Sequence, residues 1–481
     1  MVETKDIVFI DPPLIDEKGD VLFVPGHLPH LGIAILAAVA RRDCGLRVAI
    51  VDAVSLNYNV KQVVDEVVSL KPRYIGLTAM THNITSVAYL CEIFRRLLPE
   101  AKIILGGVHI TAATEMTYKK YPNLFDVCVI GEGEDTIVEL LRALDGKRSL
   151  DNIKGLAWRE EDGTVRKTAR RPDIKDMDQL PFPAWDLLPT MNKLHGYGTT
   201  FISAGEGKTN HLMTSRGCPA KCVFCDTSVN GNALRGYSPE YVLEMMEILT
   251  KKYGVTDIQI NDDTFVSLRK RMIKICDLMI ENKMNVSWSC DARVNSVTEE
   301  GINKMAEAGC WQIAYGVETG SQRVMDYLKK RITFDQIRTA FALTDKAGIE
   351  NKGFFILGHP TETPESLEET VKFMLELPMD VVGCTFFTVF PGSPCYEGIE
   401  QYGSFNPDWS LTNTYSCSNF IANGFTQEQL IAARRDAMRR FYFRPKYMYR
   451  QLKHAGANPR HLFKLARGAT KAVTKFVLPA H

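Results

Sequence analysis

Three cysteines stand close together in the stretch TSRGCPAKCVFCDTS, at Cys218, Cys222 and Cys225, with the spacing Cys-x3-Cys-x2-Cys. A structural zinc site takes four ligands, and the chain has neither a second closely spaced cysteine pair nor a nearby His-x3-His. Thiolates are soft ligands that suit iron–sulfur clusters. Three cysteines on a [4Fe–4S] cube leave one iron without a protein ligand. The pattern therefore predicts a cluster with one iron open to a substrate or cosubstrate.

The elements around these cysteines predict a barrel. From about residue 210 to residue 395, short apolar runs alternate with amphipathic stretches, which predicts six strand–helix units and a partial (β/α)6 barrel. In such a barrel the chemistry belongs at the C-terminal ends of the strands. Cys218 directly follows the first of these strands, so we expect the cysteine loop at the mouth of the barrel.

The first 150 residues predict a second α/β domain. Five short β-branched strands are separated by helices, which is typical of a doubly wound parallel sheet of Rossmann-like type. Its ligands bind at the C-terminal strand ends, which carry these candidates: Thr78, Gly106, Gly107, His109, Gly131 and Glu132. Glycines there let the backbone approach a large flat ligand, or they only make tight turns. No G-x-G-x-x-G follows the first strand, which disfavours a dinucleotide.

Composition excludes several classes of protein. The 481 residues are enough for two or three domains, and a net charge of +1 gives no reason to expect nucleic acid. The N-terminus lacks a signal-peptide pattern, and no apolar run reaches the roughly 20 residues that span a bilayer. The nine other cysteines are scattered, mostly in apolar stretches, as reduced buried thiols are. We therefore expect a cytoplasmic protein.

The cysteine motif, with Phe224 just before its third cysteine, resembles the signature of the radical S-adenosylmethionine (radical SAM) superfamily. The resemblance implies that the open iron binds the amino and carboxylate groups of S-adenosylmethionine. It also implies an enzyme that generates a 5′-deoxyadenosyl radical, which abstracts hydrogen from an unactivated carbon. The protein would then orient the substrate and exclude other reactants.

The same resemblance assigns cofactor-binding roles to residues after successive barrel strands, namely Asp262, Asp263, Arg293, Glu318, His359 and Glu362. Glu318, in GVETGS, would accept hydrogen bonds from the ribose hydroxyls. Arg293 would hold the carboxylate of S-adenosylmethionine, and His359 would lie near its adenine. Each of these side chains has an alternative role in a structural salt bridge or a helix cap.

The N-terminal stretches HLGIAILAAVARR, IGLTAMT, LGGVHIT and VIGEGE resemble the cobalamin-binding domain found in front of many radical SAM enzymes. The resemblance implies cobalamin as a third cofactor. The Asp-x-His-x-x-Gly motif that ligates cobalt from below is absent, which leaves the lower face of cobalt to water or open. We therefore predict His82 and His109 as pocket residues and not as cobalt ligands.

We predict four segments: residues 1–150 as the cobalamin domain, 151–205 as a proline-rich linker, 206–425 as the barrel and 426–481 as a basic helical tail. Residues 432–481 contain thirteen Lys or Arg and one acid, Asp436. A basic amphipathic helix is typical of a membrane surface contact, or it is a solvated face that covers the barrel.

The whole pattern is similar to the subgroup that contains the anaerobic magnesium-protoporphyrin monomethyl ester cyclase and cobalamin-dependent methylases. It implies methylation of an unactivated carbon of a hydrophobic substrate (a tetrapyrrole, a hopanoid or another lipid-like molecule) and a reducing partner such as flavodoxin or ferredoxin. Aromatic residues near strand ends favour an apolar substrate or are ordinary packing: Trp288, Phe386, Phe387 and Phe390. An anaerobic oxidative cyclase or hydroxylase and a non-catalytic iron–sulfur or cobalamin sensor remain alternatives.

Overall fold

The computed structural model describes residues 3–15, 21, 28–189, 191, 207–412, 414 and 418–455. The chain divides into two compact units. The first unit comprises Met1–Ala220, Cys225–Ser289 and Phe390–Ser393, and the second comprises Lys221–Phe224, Cys290–Val389 and Pro394–His481. The short cysteine loop thus contributes to both units.

The N-terminal part of the first unit is a seven-stranded sheet in the order β2-β1-β3-β4-β5-β6-β7. Its strands are β1 Ile7–Asp11, β2 Val48–Asp52, β3 Tyr74–Thr78, β4 Lys102–Gly106, β5 Val127–Val129, β6 Leu156–Arg159 and β7 Val165–Lys167. The helices between them are α1 Leu31–Cys44, α2 Ala53–Leu56, α3 Val60–Leu70, α4 Ile84–Leu97, α5 Val108–Lys120 and α6 Glu134–Asp145.

The first five strands are parallel, as predicted, because each is short, β-branched and connected to the next through a helix. The interior strand β1, which lies between β2 and β3 and has the sequence IVFID, is buried at all five positions. A strand covered on both faces is apolar throughout and does not alternate. The doubly wound fold of this region is therefore confirmed.

Two elements differ from the sequence prediction. Residues 156–167, placed in the predicted linker, form β6 and β7, which extend the first sheet as antiparallel strands. Helix α5 occupies the threonine-rich stretch VHITAATEMTYKK, for which the sequence predicted no helix. Threonine has low helix propensity, so packing of α5 against β4 and β5 decides its conformation.

Six further strands and the helices between them form the partial (β/α)6 barrel. The strands are β8 Lys208–Leu212, β11 Val255–Ile260, β12 Ser287–Ala292, β13 Cys310–Glu318, β14 Glu350–Leu357 and β15 Val381–Phe386, with the small hairpin β9 Ser215–Arg216 and β10 Arg235–Gly236 after β8. The helices are α7 Pro239–Glu247, α8 Arg269–Glu281, α9 Glu299–Glu307, α10 Gln322–Leu328, α11 Phe334–Lys346 and α12 Pro364–Glu376, and two of them, α10 and α11, lie between β13 and β14. In the first unit β8 pairs in parallel with β11, and in the second β14 pairs in parallel with β13 and β15.

The described C-terminal region of the second unit consists of β16 Gly403–Phe405, β17 Phe420–Ala422, α13 Gln427–Tyr442 and α14 Pro445–Ala455. Its arginines bind groups of the same unit. Arg440 contacts Glu368 at 2.8 and 2.9 Å, and Arg450 contacts Asp380 at 2.6 and 2.8 Å. This pairing favours the interpretation of the two helices as a cover on the barrel. The predicted tail beyond residue 455 lies outside the described residues.

In the described part of the chain, no helix is both long and apolar enough to cross a bilayer.

Candidate functional site

The cysteine motif lies in a loop that a two-residue hairpin closes. Ser215 and Arg216 of β9 pair with Gly236 and Arg235 of β10, so the two ends of the loop between these strands lie side by side. Gly217 follows β9 with a φ of +90°, and a Cβ at this position would collide with the carbonyl of Ala233. A glycine is required there for both reasons. Along the loop Cys218 is half-buried, Cys222 is buried and Cys225 is exposed.

The two aspartates after β11 hold the start of this loop. Asp262 is buried and accepts hydrogen bonds from the Thr214 amide at 2.5 Å and from the hydroxyls of Thr214 and Ser215 at 2.6 Å. Burial raises its pKa, and these donors offset only part of that effect. Asp263 accepts from the Gly217 amide at 2.8 Å. Asp262, predicted to bind a cofactor, instead orders the backbone that leads to Cys218.

Four buried charged side chains join the hairpin to the loop after β5, and we call Glu132, Glu134, Arg216 and Arg235 the clamp. Arg216 donates to Glu132 at 2.9 Å and to Glu134 at 2.5 Å, and Arg235 donates to both oxygens of Glu132 at 2.9 Å. The amide of Ile174 also donates to Glu132, at 2.6 Å. No side chain of the clamp is more than 9% exposed. Glu132, predicted at the cobalamin pocket, is therefore engaged within the protein.

In the second unit the middle of the cysteine loop rests on an apolar core. The Val223 amide donates to the carbonyl of Leu328 at 3.1 Å, and the Cys395 amide donates to the carbonyl of Val223 at 2.9 Å. The Val223 side chain packs in a cluster with Leu328 and Phe387, and Phe224 packs against its edge. Both backbone groups and the side chain thus fix the residue that follows Cys222.

Two cations contact the cysteine loop, Arg293 at Cys222 and Lys330 at Phe224. Arg293 directs one guanidinium nitrogen to the Cys222 sulfur at 3.8 Å and donates another N–H to the carbonyl of Lys330 at 2.7 Å. The Lys330 ammonium lies 6.0 Å from the centroid of the Phe224 ring and donates to Oε1 of Glu318 at 2.5 Å. Arg293 and Glu318 were predicted to bind S-adenosylmethionine; here Arg293 lies next to Cys222, and Glu318 pairs with Lys330.

Glu318 has an unusual backbone. Its φ is +70°, in the left-handed region that non-glycine residues rarely adopt, and the register of β13 with β14 shifts at this position. A Cβ on Gly316 would collide with the Glu318 carboxylate, so the glycine makes room for the side chain. Such strain is found where a side chain must be aimed. Because Lys330 uses Oε1, the Oε2 atom remains an acceptor for a ligand hydroxyl.

The loop after β14 holds buried polar atoms without protein partners. Among the described residues, neither ring nitrogen of His359 makes a hydrogen bond, nor does Oγ1 of Thr361 or Oε1 of Glu362. Burial lowers the pKa of His359 to about 4, which the nearby carbonyls of Glu318 and Ile356 partly offset. Burial also raises the pKa of Glu362 to about 7, although its Oε2 accepts from the amides of Gly358 and His359. A buried polar atom without a partner is costly, so this loop suits a polar ligand.

The residues predicted to bind cobalamin fall into two groups. Gly131 has a φ of +79° with nothing within 4 Å of a Cβ, and at Gly106 the nearest atom would be 3.9 Å away, so both leave space for a ligand. Gly107 has a φ of +100°, and a Cβ there would lie 2.6 Å from the Ala79 carbonyl and 2.8 Å from Thr78 Oγ1. Its glycine is required by the neighbouring strand end.

His109 does not line the crevice as predicted. It is fully buried in α5, and its two ring nitrogens lie 3.2 Å from Thr81 Oγ1 and 3.1 Å from Thr117 Oγ1. Burial lowers its pKa to about 4, so the ring is neutral at pH 7. His82 is half-buried, and burial lowers its pKa as well.

The residues present fit the three predicted cofactors. Three thiols, one of them facing a guanidinium, form a suitable donor set for an iron–sulfur cluster. The unpartnered atoms at residues 359–362 fit a polar nucleoside, and Gly106 and Gly131 leave room beside the first sheet. Within the described ranges no group of three His, Cys, Asp or Glu side chains suits a single metal ion. A [4Fe–4S] cluster does not need three protein ligands on a single metal ion, since each thiolate binds a different iron.

Several functional candidates were missed by the sequence analysis. Arg216 directly precedes Gly217 and Cys218, so its position next to the motif was a usable signal. Lys330 stands in an ordinary charged stretch, LKKR, and nothing in the sequence distinguishes it from its neighbours. Of the predicted aromatic residues, Trp288, Phe386 and Phe387 are at most 3% exposed, so they are packing residues.

The comparisons with known proteins identify the two domains. The family model for the radical SAM superfamily matches residues 212–374, and the model for the B12 binding domain matches residues 18–141. An uncharacterized methyltransferase of Pyrococcus horikoshii is 33% identical over 448 residues, which cover 93% of this chain and 94% of that protein.

The anaerobic magnesium-protoporphyrin IX monomethyl ester cyclase of Rubrivivax gelatinosus is 28% identical over 397 residues, covering 81% of this chain and 69% of the cyclase. The solved structure of the cobalamin-dependent S-adenosylmethionine radical enzyme OxsB with aqua-cobalamin bound superimposes with a TM-score of 0.75 at 18% identity. The superposition covers 98% of this chain and 71% of OxsB. At that identity the likeness concerns the fold.

Proposed function

This chain belongs to the radical SAM superfamily and carries a B12-binding domain, and from that premise we propose that it methylates an unactivated carbon of a hydrophobic substrate. It is an enzyme whose cofactors are S-adenosylmethionine, a [4Fe–4S] cluster and cobalamin. The observation that carries the methylation proposal is the alignment with a methyltransferase over 93% of the chain, because it spans both cofactor-binding domains.

The proposed roles of the residues follow from their positions. Cys218, Cys222 and Cys225 hold the cluster, and Asp262 and Asp263 order the backbone that presents Cys218. When bound, the cluster supplies an electron to S-adenosylmethionine and cobalamin supplies a methyl carrier.

The second unit supplies the proposed S-adenosylmethionine contacts. Oε2 of Glu318 accepts from ribose hydroxyls, and the loop at His359 and Glu362 contacts the adenine. Because His359 is neutral at pH 7, one of its ring nitrogens donates and the other accepts. Thr78, Gly106 and Gly131 lie at the strand ends that face cobalamin.

A hydrophobic substrate is supported by one face of β14. Its residues alternate between buried and half-buried, and the buried set includes Asn351, whose amide donates to the carbonyl of Phe341 in α11. The opposite, half-buried set consists of two charged residues, Glu350 and Lys352, followed by two apolar residues, Phe354 and Ile356. The Lys352 ammonium lies 4.7 Å from the centroid of the Phe354 ring, and Ile356 packs against a core cluster. The apolar surface that remains on this pair supports a hydrophobic substrate.

The test is anaerobic reconstitution with iron, sulfide and hydroxocobalamin, followed by reduction with S-adenosylmethionine and chromatography of the products. We expect both 5′-deoxyadenosine and S-adenosylhomocysteine. Cys222→Ala should lose the cluster and 5′-deoxyadenosine, whereas Cys44→Ala, a half-buried cysteine outside the motif, should keep both. A wild-type enzyme that binds no cobalamin contradicts the proposal.

A second candidate is oxidative cyclisation of a tetrapyrrole, which the 28% identity to the cyclase favours. That reaction needs the radical and no methyl transfer. 5′-Deoxyadenosine without S-adenosylhomocysteine would therefore support cyclisation. A reducing partner, of flavodoxin or ferredoxin type, is part of both proposals.

Peripheral membrane contact is proposed through an exposed patch near α14. Phe443, Met448 and Tyr449 are 44%, 55% and 72% exposed, and the exposed Lys446 lies among them. An apolar patch with a cation suits an anionic lipid surface. We expect the full chain to co-sediment with anionic liposomes and the triple serine variant at Phe443, Met448 and Tyr449 to lose that binding. Equal binding by both proteins would contradict membrane contact through this patch.

A further inference from the structure

A guanidinium group points at the sulfur of one motif cysteine. Arg293 follows the end of β12, and one of its nitrogens lies 3.8 Å from Cys222 Sγ. A second guanidinium N–H donates to the carbonyl of Lys330 at 2.7 Å, which fixes the orientation of the planar group. Cys222 is only 5% exposed, so water screens this contact weakly.

The charges around this contact do not cancel. Lys330 is neutralised by Glu318, since the two side chains form an ion pair at 2.5 Å and are 7% and 9% exposed. Arg293 has no comparable partner, because no carboxylate in the described ranges forms an ion pair with it. The local surplus is therefore one positive charge, delocalised over the guanidinium group that donates toward the sulfur.

We propose that Arg293 is a positioning residue that raises the reduction potential of the cluster bound at Cys222. Reduction adds one electron, from a low-potential flavoprotein, a ferredoxin or dithionite, to a cluster that is already anionic with its three thiolates. A hydrogen bond to a ligand sulfur and a nearby positive charge both stabilise the more negative reduced state. The inference rests on the proposed role of Cys222 as a cluster ligand.

This role differs from the one predicted from the sequence, in which Arg293 holds the carboxylate of S-adenosylmethionine. The two roles can be distinguished by measuring the reduction potential of the cluster in the absence of S-adenosylmethionine. A contact to the carboxylate has no effect on the potential before S-adenosylmethionine is added. A contact to the sulfur acts on the cluster whether or not the cosubstrate is present.

The experiment is an EPR-monitored redox titration of the reconstituted full-length enzyme without S-adenosylmethionine. We expect Arg293→Met to lower the equilibrium constant for one-electron reduction at least tenfold, which is a shift of 59 mV to a more negative potential. Arg293→Lys keeps the charge and loses the planar donor, so its shift should be smaller. Arg323→Met removes an exposed arginine of the same unit and should leave the potential unchanged.

Two failures are distinguishable. A cluster that assembles in full in Cys222→Ala overturns the ligand assignment on which the inference rests. A Cys222-dependent cluster whose potential is unchanged in both Arg293 variants overturns the inference itself. If those variants alter only the EPR response to added S-adenosylmethionine, Arg293 binds the carboxylate and the inference is also overturned. Should Arg293→Met fail to assemble a cluster, Arg293→Lys carries the measurement.

Discussion

The clamp in the first unit and the 359–362 loop in the second unit both bury charged or polar side chains next to a strand end. In the clamp, Glu132 accepts hydrogen bonds from two arginines and a backbone amide. In the loop, His359, Thr361 and Glu362 each keep at least one buried polar atom that has no hydrogen-bond partner among the described residues. Every side chain of the clamp has a charged partner, although Oε2 of Glu134 makes no hydrogen bond with the described residues, whereas neither ring nitrogen of His359 makes one.

This difference distinguishes side chains that stabilise the fold from side chains that are available to bind a ligand. A buried charge with partners on the protein holds the chain in place, and its removal leaves other charges uncompensated. A buried polar atom without a partner costs stability in the absence of a ligand and gains a hydrogen bond when one arrives. The sequence predicted cofactor roles for Glu132 and for His359, yet only the surroundings of His359 suit such a role.

The largest effect should come from breaking the clamp. Arg216→Met removes the partner of Glu134, whose pKa burial would raise but which the charge and hydrogen bond of Arg216 hold below its usual value. Loss of one member of a buried pair costs about 3–5 kcal/mol. We expect that loss in urea unfolding of the apo protein.

The control is Arg338→Met, at the pair with Glu376 in which both side chains are about half exposed, with an expected loss below about 1 kcal/mol. Equal losses in the two variants would remove the distinction between the clamp and a surface pair.

A pH effect should mark the 359–362 loop. Burial raises the pKa of Glu362 from 4.5 to about 7, so between these values the folded state holds a proton that the unfolded state has lost. The free energy of unfolding therefore falls as pH rises through this window, by about 3 kcal/mol for a shift of this size.

Glu362→Gln cannot ionise, so its stability relative to the wild type should increase by that amount between pH 4.5 and pH 8. Urea unfolding at both pH values measures the difference. A constant difference between the two proteins would show that Glu362 is charged in the folded apo state.

The smallest effect should separate two threonines of the second unit. Thr370 Oγ1 donates to the Ser366 carbonyl and accepts from the Gly320 amide, both at 3.0 Å, so Thr370→Val should cost about 1–3 kcal/mol. Thr361 Oγ1 is buried without a hydrogen-bond partner in the described residues, so Thr361→Val should remove that penalty and stabilise the apo protein by about 1 kcal/mol.

If Thr361 faces a ligand, Thr361→Val should instead weaken the binding of S-adenosylmethionine, measured by calorimetry on the reconstituted enzyme. Unchanged affinity, or a stability loss equal to that of Thr370→Val, would count against a ligand contact at this hydroxyl.

The sequence by itself determined the two α/β domains and the iron–sulfur motif. The strands were predicted because β-branched runs such as IVFID and helical periodicity are local properties. The cysteine motif was recognisable without the fold, because its spacing, with three cysteines within eight residues, is a local property of the sequence. Helix α5 was missed, because its conformation depends on packing rather than on the propensity of its threonines.

Only the tertiary structure decided which polar side chains remain available to a ligand. Glu132 and His109 looked like pocket residues, and partners from other chain segments, Arg216 and Arg235 for the first and Thr81 for the second, contact them. Arg293 is brought to Cys222, and Lys330 to Phe224, by chain segments that lie 71 or more residues away. Long-range pairing of this kind leaves no local pattern, because the strength of a buried contact depends on burial and distance and not on sequence neighbours.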